Sequence, residues 1–232
     1  MPGALLPRAV SASRADLEAL LRADGFGHTL PSRTVLDRPT REVRPTGLPD
    51  VDHALGGGVP AGTLTEIVGA PSSGRTGLVY ALLAGVTQHD GWAAYVDAAD
   101  TFNPQSADQR GVALDRLLWI QCGSRLETAV RAAELVTRSA GFQVAVLDLG
   151  DLAPSRLRRL PPVAFLRLRR AAESTATALV VLADHPVAGS HAAVALRCDR
   201  SCAAWSGRHP AGRLLRHVGS ATSAVVRRRI AL

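Results

Sequence analysis

Five short apolar runs, separated by longer amphipathic segments, dominate the pattern of hydrophobic and polar positions. The runs occupy residues 63–68, 92–97, 117–121, 144–148 and 178–183, and helical spacing recurs in residues 75–88, 126–138 and 163–173. Short strands that are apolar on both faces and alternate with helices are typical of a parallel sheet covered on both sides. The pattern therefore predicts an α/β fold with a mostly parallel central sheet covered by helices.

The two ends of the chain have different patterns. Ser13 precedes Asp16 by three positions, as in a capping box, and leucines follow at helical spacing up to Gly25. Residues 26–46 contain three prolines and read as a linker. Residues 192–206, 213–218 and 223–230 predict antiparallel strands joined at residues 207–212 and near Ser220. We expect an N-terminal helix and linker over residues 1–46 and a core domain with a β tail over residues 47–232.

A glycine-rich loop joins the first predicted strand of the core to a helix. Residues 69–76 read GAPSSGRT and match G-x-x-x-x-G-K-[ST] except that arginine replaces lysine. Such a loop directs backbone N–H groups at phosphates, and its hydroxyl and a strand-end aspartate hold Mg²⁺. The candidate nucleotide-binding residues are Gly69, Ser72, Ser73, Gly74, Arg75, Thr76 and Asp148.

The arginine at position 75 changes the expected chemistry of this loop. Lysine is a compact point charge, whereas the guanidinium is longer, planar and forked, so it does not fit the same space. The chain has no lysine at all, and its 27 basic residues are all arginine. We expect Arg75 to weaken or abolish ordinary nucleotide turnover. ATP with Mg²⁺ would be held through Thr76 and Asp148 only if a nucleotide binds.

Positive charge is concentrated in the second half of the chain. Residues 1–116 hold 10 arginines against 13 acidic residues, a net charge of −3, whereas residues 117–232 hold 17 against 7, a net charge of +10. This asymmetry indicates either a polyanion partner, most often nucleic acid, or a solvated basic face. The candidate DNA or partner contacts are Arg156, Arg158, Arg159, Arg167 and Arg170.

Composition excludes several other classes of protein. The chain is 47% hydrophobic and 20% charged, which argues against wholesale disorder, and no apolar stretch approaches membrane-span length. Three cysteines are too few for a disulfide scaffold, and a reduced, cytoplasmic protein is expected. Cys198 and Cys202 lie upstream of His209 and His217 with the wrong histidine spacing for zinc, so no metal site is expected.

Several motifs occur in a characteristic order: PTGLPDVDHALGGGVPAGTLTEIVGAPSSGRTGL (residues 45–78), YVDAADTFNP (95–104), GVALDRLLWIQ (111–121) and VAVLD (144–148). Together they resemble the RecA recombinase family along most of the chain from residue 45 onward. The resemblance implies a RecA-like P-loop core, whose members use ATP and bind DNA.

Three positions depart from what this resemblance implies. The family carries its catalytic glutamate at the third position of an Asp-Ala-Glu run, where this chain has Ala99. Asp100 is adjacent, but one step along a strand end points to the opposite face. The family's phosphate-sensing Asn-Gln pair corresponds to Asp184 and His185, which leaves His185 as a candidate phosphate sensor. The long DNA-binding loops of the family are reduced to residues 154–162 and 185–191.

A shortened RecA core with an arginine-rich β tail is most similar to the ImuA proteins, which also resemble SulA cell-division inhibitors more distantly. That resemblance implies an accessory role in DNA repair and SOS-type translesion mutagenesis. Its partners would be a Y-family polymerase homologue and an error-prone replicative polymerase, with single-stranded DNA, RecA or a second copy as further candidates and no membrane. Two alternatives stay open: a divergent recombinase with DNA-dependent ATPase activity, and a SulA-like inhibitor of cell division.

Overall fold

The computed structural model describes residues 42–206 and 214–226. Their centre is a seven-stranded sheet in the order β5-β4-β6-β7-β3-β8-β9. Its strands are β3 (Leu64–Val68), β4 (Ala93–Asp97), β5 (Leu117–Gln121), β6 (Val144–Asp148), β7 (Ala178–Ala183), β8 (Val194–Ser206) and β9 (Leu214–Val226). All neighbouring strands are parallel except the antiparallel pair β8–β9. The predicted mostly parallel sheet with antiparallel C-terminal strands is confirmed.

Helices cover both faces of this sheet. They are α1 (Pro49–Leu55), α2 (Arg75–Thr87), α3 (Pro104–Gln109), α4 (Leu126–Arg138), α5 (Pro154–Leu157) and α6 (Pro162–Glu173). One apolar cluster contains the buried faces of α4, α5 and α6, and the other contains those of α1, α2 and α3. Strands β3, β4, β6 and β7 are buried at every position, which explains their mostly apolar sequences.

The strands and long helices begin and end within two residues of their predicted positions, but other elements differ from prediction. Strand β9 continues through Ser220, so the predicted break there is wrong. Within the predicted linker, strand β1 (Val43–Arg44) pairs with β2 (Val59–Pro60) and so joins the core. The predicted helix at residues 13–25 and the turn at residues 207–212 lie outside the described residues, as do residues 227–230 of the last predicted strand.

The connection from β7 to β8 is a very short crossover. β7 and β8 both run parallel to β3 and lie on opposite sides of it, so residues 184–193 must return along the length of the sheet. They do so with only a 3₁₀ turn, Gly189–His191, where such crossovers usually contain a full α-helix. The buried carboxylate of Glu66 on β3 accepts hydrogen bonds from the backbone N–H groups of Val187 and Ala188, at 2.6 and 2.7 Å. One buried acid thus satisfies amides that a crossover helix would have satisfied internally.

Within the described ranges, every helix is too short or too polar to traverse a lipid bilayer.

Candidate functional site

The loop at residues 69–76 has the tight geometry that its sequence predicts. Ser72 and Gly74 adopt left-handed backbone conformations, with φ of +63° and +94°, and α2 begins directly afterwards without a side-chain cap. A Cβ atom at Gly69 would collide with the Ser73 hydroxyl and the carbonyl oxygen of Cys198. The Ser73 side chain is buried, and its Oγ has no hydrogen-bond partner among the described residues. A tight turn therefore leads directly into the N-terminus of α2, the position that a phosphate-binding loop would occupy.

The Arg75 side chain turns back under the loop and is almost fully buried. Its Nη1 donates to the carbonyl oxygen of Gly69 and to the carboxylate of Asp184, and its Nη2 lies 3.4 Å from Asp151 Oδ1. The fit is close, because a Cβ atom at Gly150 would lie 2.7 Å from Arg75 Nη2. The guanidinium is therefore held by groups following three strands, β3, β6 and β7.

Asp148 is also committed to partners inside the protein. Its Oδ2 accepts a hydrogen bond from the Tyr95 hydroxyl, and its Oδ1 accepts one from the Gly150 N–H at 2.8 Å. Burial raises the pKa of Asp148 from 3.8 to about 6, although the Tyr95 and Gly150 hydrogen bonds act in the opposite direction. Thr76 is exposed, and no hydrogen bond links it to Asp148 among the described residues.

The two acids at and after the end of β4 accept hydrogen bonds from backbone N–H groups. Asp97 is fully buried and accepts hydrogen bonds from the N–H groups of Thr101 and Phe102. Asp100 Oδ1 accepts hydrogen bonds from the backbone N–H groups of Cys122 and Gly123, each at 3.1 Å. Both carboxylates therefore organise the turns that follow β4 and β5. Ala99 packs against the apolar cluster on the α4 and α6 side.

The end of β7 carries the pair that takes the place of the implied phosphate sensor. Asp184 forms the ion pair with Arg75 and also lies 3.4 Å from the backbone nitrogen of Asp151. His185 is half-buried and makes no hydrogen bond or ion pair with the described part of the chain. The acid is thus tied to the loop, while the histidine next to it is not.

The five predicted contact arginines fall into two groups. Arg156 donates to the carbonyl oxygen of Ser124, and Arg167 is paired with Glu134, so these two already have intramolecular partners. Arg158, Arg159 and Arg170 are exposed and form no ion pair within the described ranges.

Comparison with known proteins identifies the family to which this fold belongs. The family model of the RecA N-terminal domain matches residues 32–156, more than half of the chain. The chain belongs to the RecA family. It is 31% identical over 194 residues to protein RecA of Chloroflexus aurantiacus, covering 77% of this chain and 55% of that protein. It is 42% identical over 108 residues to protein RecA of Methylococcus capsulatus, covering 46% and 31% respectively.

The fold is also similar to that of a solved recombinase structure. The crystal structure of the RadB recombinase superposes with a TM-score of 0.54 at 20% sequence identity, covering 67% of this chain and 82% of that chain. This chain spans about half the length of the RecA proteins it matches over 194 residues.

Sequence reasoning missed three groups at this site. Asp151 contacts Arg75, Glu66 fixes the crossover, and Arg200 on β8 donates to the carbonyl oxygen of Pro71 in the loop. The only signal for Glu66 was its charge within an otherwise apolar strand. Asp151 and Arg200 carried no signal, because their positions depend on how distant segments meet.

Proposed function

We propose that this RecA-family protein is an accessory factor in DNA repair and SOS-type translesion mutagenesis that acts by binding partners rather than by ATP-driven recombination. The expected partners are a Y-family polymerase homologue and an error-prone replicative polymerase, by resemblance to the ImuA proteins. Single-stranded DNA, RecA or a second copy of the chain are further candidates.

The observation that carries this proposal is the set of contacts made by Arg75. In a working P-loop the corresponding lysine reaches the outer phosphates of the nucleotide. Here the cation is buried and bonded to Gly69 and Asp184, beneath the loop that would hold those phosphates. A nucleotide would have to compete with these intramolecular partners, and its phosphates would meet the nearby carboxylates of Asp151 and Asp184.

The other residues that ATP and Mg²⁺ would need do not fit the group either. Asp148 accepts hydrogen bonds from Tyr95 and Gly150, so a metal-bound water would have to share its two oxygens with these donors. No carboxylate occupies position 99, where the family's general base stands. A positioned general base alone is typically worth about 10²- to 10⁴-fold in rate. We therefore assign no ATP-dependent step to this chain.

The short crossover after β7 also argues against a role as a recombinase. Recombinases of this family carry long loops that hold single-stranded DNA within a filament, whereas residues 184–193 are tied to the sheet by Glu66. DNA contact is therefore expected to be electrostatic and independent of base sequence. It would use the exposed arginines Arg158 and Arg159.

The nucleotide part of the proposal is tested by measuring ATP binding and hydrolysis with and without single-stranded DNA. We expect turnover at the background level under both conditions. The variant Arg75→Lys with Ala99→Glu should recover little activity, because Asp184 stays opposite the loop, whereas adding Asp184→Asn should increase it. DNA-stimulated hydrolysis by the unmodified chain at a recombinase-like rate would favour the divergent recombinase instead.

The partner part is tested with purified proteins. The full chain and a Y-family polymerase homologue from the same organism are mixed and separated by size-exclusion chromatography. Co-elution that persists without nucleotide is expected. Separate elution of the two proteins, both with and without the replicative polymerase, would contradict the partner-binding role.

A further inference from the structure

The outer surface of α4 and α6 combines exposed apolar side chains with arginines. We call it the arginine–leucine face and define it by Arg131, Leu135, Arg138, Val163, Arg167 and Arg170. Leu135 is 70% exposed and Val163 is 52% exposed, the two largest fractions among the exposed large hydrophobic residues of the described ranges. The two helices cover the same side of the sheet, so their outward surfaces are neighbours.

Each helix presents these residues in one stripe. On α4 the intervals from Arg131 to Leu135 and on to Arg138 are four and three residues, which places all three on one side of the helix. The same intervals separate Val163, Arg167 and Arg170 on α6. The buried apolar residues of both helices lie on the opposite side and pack against the sheet, so they do not cover these stripes.

Glu134 joins the two stripes and is itself neutralised. Its Oε1 lies 3.3 Å from the Arg138 Nε within α4, and its Oε2 pairs with Arg167 across the two helices. Both oxygens of this acid are therefore occupied. Arg131 and Arg170 have no acidic partner in the described part of the chain. Glu127 in the first turn is the one exposed acid of α4, since Glu134 is buried. The face thus keeps a positive excess around an apolar centre.

We propose that the arginine–leucine face binds an acidic, amphipathic segment of a protein partner. Apolar side chains of that segment would cover Leu135 and Val163, and its carboxylates would pair with Arg131 and Arg170. Guanidinium groups suit such pairing because they bind carboxylates bidentately. A nucleic acid backbone would satisfy the arginines but would leave the leucine exposed to water. This inference rests on the proposed partner-binding role and gives it a location and a chemistry.

The probe is a fluorescein-labelled 16-residue peptide designed as an amphipathic helix, with leucines along one side and glutamates flanking them. Its binding to the full chain is followed by fluorescence anisotropy. Two further peptides replace the glutamates by glutamine or the leucines by serine, and a labelled thymidine 20-mer represents single-stranded DNA. The variants are Leu135→Ser and Arg131→Glu, both on the solvent side of α4, where substitution does not disturb the core.

Matched controls come from the opposite side of the sheet. Leu114→Ser changes a leucine that is 38% exposed, and Arg110→Glu reverses an exposed arginine at the end of α3. We expect Leu135→Ser to weaken binding of the acidic peptide by about 10- to 100-fold, the range that burial of one leucine supplies. Arg131→Glu should weaken it several-fold and more strongly at low salt. The controls should change it less than twofold.

The inference is overturned if the acidic peptide does not bind saturably, or if Leu135→Ser behaves like Leu114→Ser. Equal binding of the glutamine peptide would also overturn it, because the arginines would then contribute nothing. If only the 20-mer binds, and Arg131→Glu weakens it while Leu135→Ser does not, the occupant is DNA. Co-elution with the polymerase homologue but no peptide binding would refute this inference alone, whereas loss of both would refute the partner-binding role.

Discussion

Arg75→Met is the substitution that most directly tests the network under the loop. Methionine keeps the apolar stem of the side chain and removes its charge and all of its donors. The Gly69 carbonyl then loses its arginine donor, and Asp184 loses the cation with which it is paired. We expect the variant to fold and to be less stable than the unmodified protein.

The expected loss of stability depends on how exposed each partner of Arg75 is. Removing one member of a fully buried ion pair costs about 3–5 kcal/mol. The Asp184 side chain is 31% exposed, so water partly replaces the lost cation, while the Asp151 side chain is 51% exposed and contributes little. An unsatisfied buried carbonyl adds about 1–3 kcal/mol. We therefore expect Arg75→Met to lower the free energy of unfolding by about 2–4 kcal/mol.

The assay is urea unfolding followed by tryptophan fluorescence, combined with Asp184→Asn in a double-mutant cycle. A direct contact between the two groups should give a coupling free energy of about 1–2 kcal/mol. High salt should change this coupling little, because the pair is largely shielded from solvent. Additivity within about 0.5 kcal/mol would show that the guanidinium is not paired with Asp184 in solution. The reasoning about the loop would then be refuted.

Three further predictions concern other parts of the molecule. The pKa of Asp148 is about 6 in the native state, against 3.8 for the unfolded chain. The native state therefore keeps this proton to a higher pH, and the protein loses stability as the pH rises from 4 to 6. Measured by urea unfolding and compared with that of Asp148→Asn, the free energy of unfolding of the unmodified protein should fall by about 3 kcal/mol by pH 7. A difference between the two proteins that does not change with pH would contradict this. Glu66→Ala should accelerate hydrogen exchange of the Ala188 amide at least tenfold, whereas an unchanged rate would mean that another group holds the crossover. For a thymidine 20-mer, alanine at Arg158 and Arg159 should flatten the log–log salt dependence of binding by about 1.4, and an unchanged slope would remove these residues from the DNA interface.

The strands and helices at the centre of the fold could be predicted well, because a buried strand has a local pattern of apolar residues. Strands such as Val144–Asp148 are covered on both faces, so nearly every position is apolar and neighbouring segments are helical. The loop was equally visible, since its glycines and serines meet local backbone requirements. The position of Arg75 was predicted to weaken nucleotide chemistry, but its pairing with Asp184 was not. That contact joins residues 109 positions apart, and no local sequence pattern indicates it.

The C-terminal strands show the opposite case. A turn was predicted near Ser220, yet Ser220 and its neighbour Gly219 lie inside β9, where Gly219 pairs with Cys202 and Ser220 with Arg200. The register shift between Arg200 and Cys202 takes up the irregularity there, so the strand continues past it. A glycine within a strand is compatible with a bulge as well as with a turn, and only the partner strand decides between them.

The short β7–β8 crossover limits how far this segment can extend away from the sheet. Ten residues, 184 to 193, can reach at most about 35 Å when fully extended. Returning along a five-residue strand uses about 17 Å, and crossing two strand spacings uses about 10 Å more. About 8 Å of reach remains. The 3₁₀ turn at Gly189–His191 uses part of it, so this segment can extend outward over a ligand only a short way. A loop that closes over a ligand would therefore require inserted residues. Gly189 is a suitable point of insertion, because it is exposed, has a left-handed backbone conformation and has open space where a Cβ atom would lie.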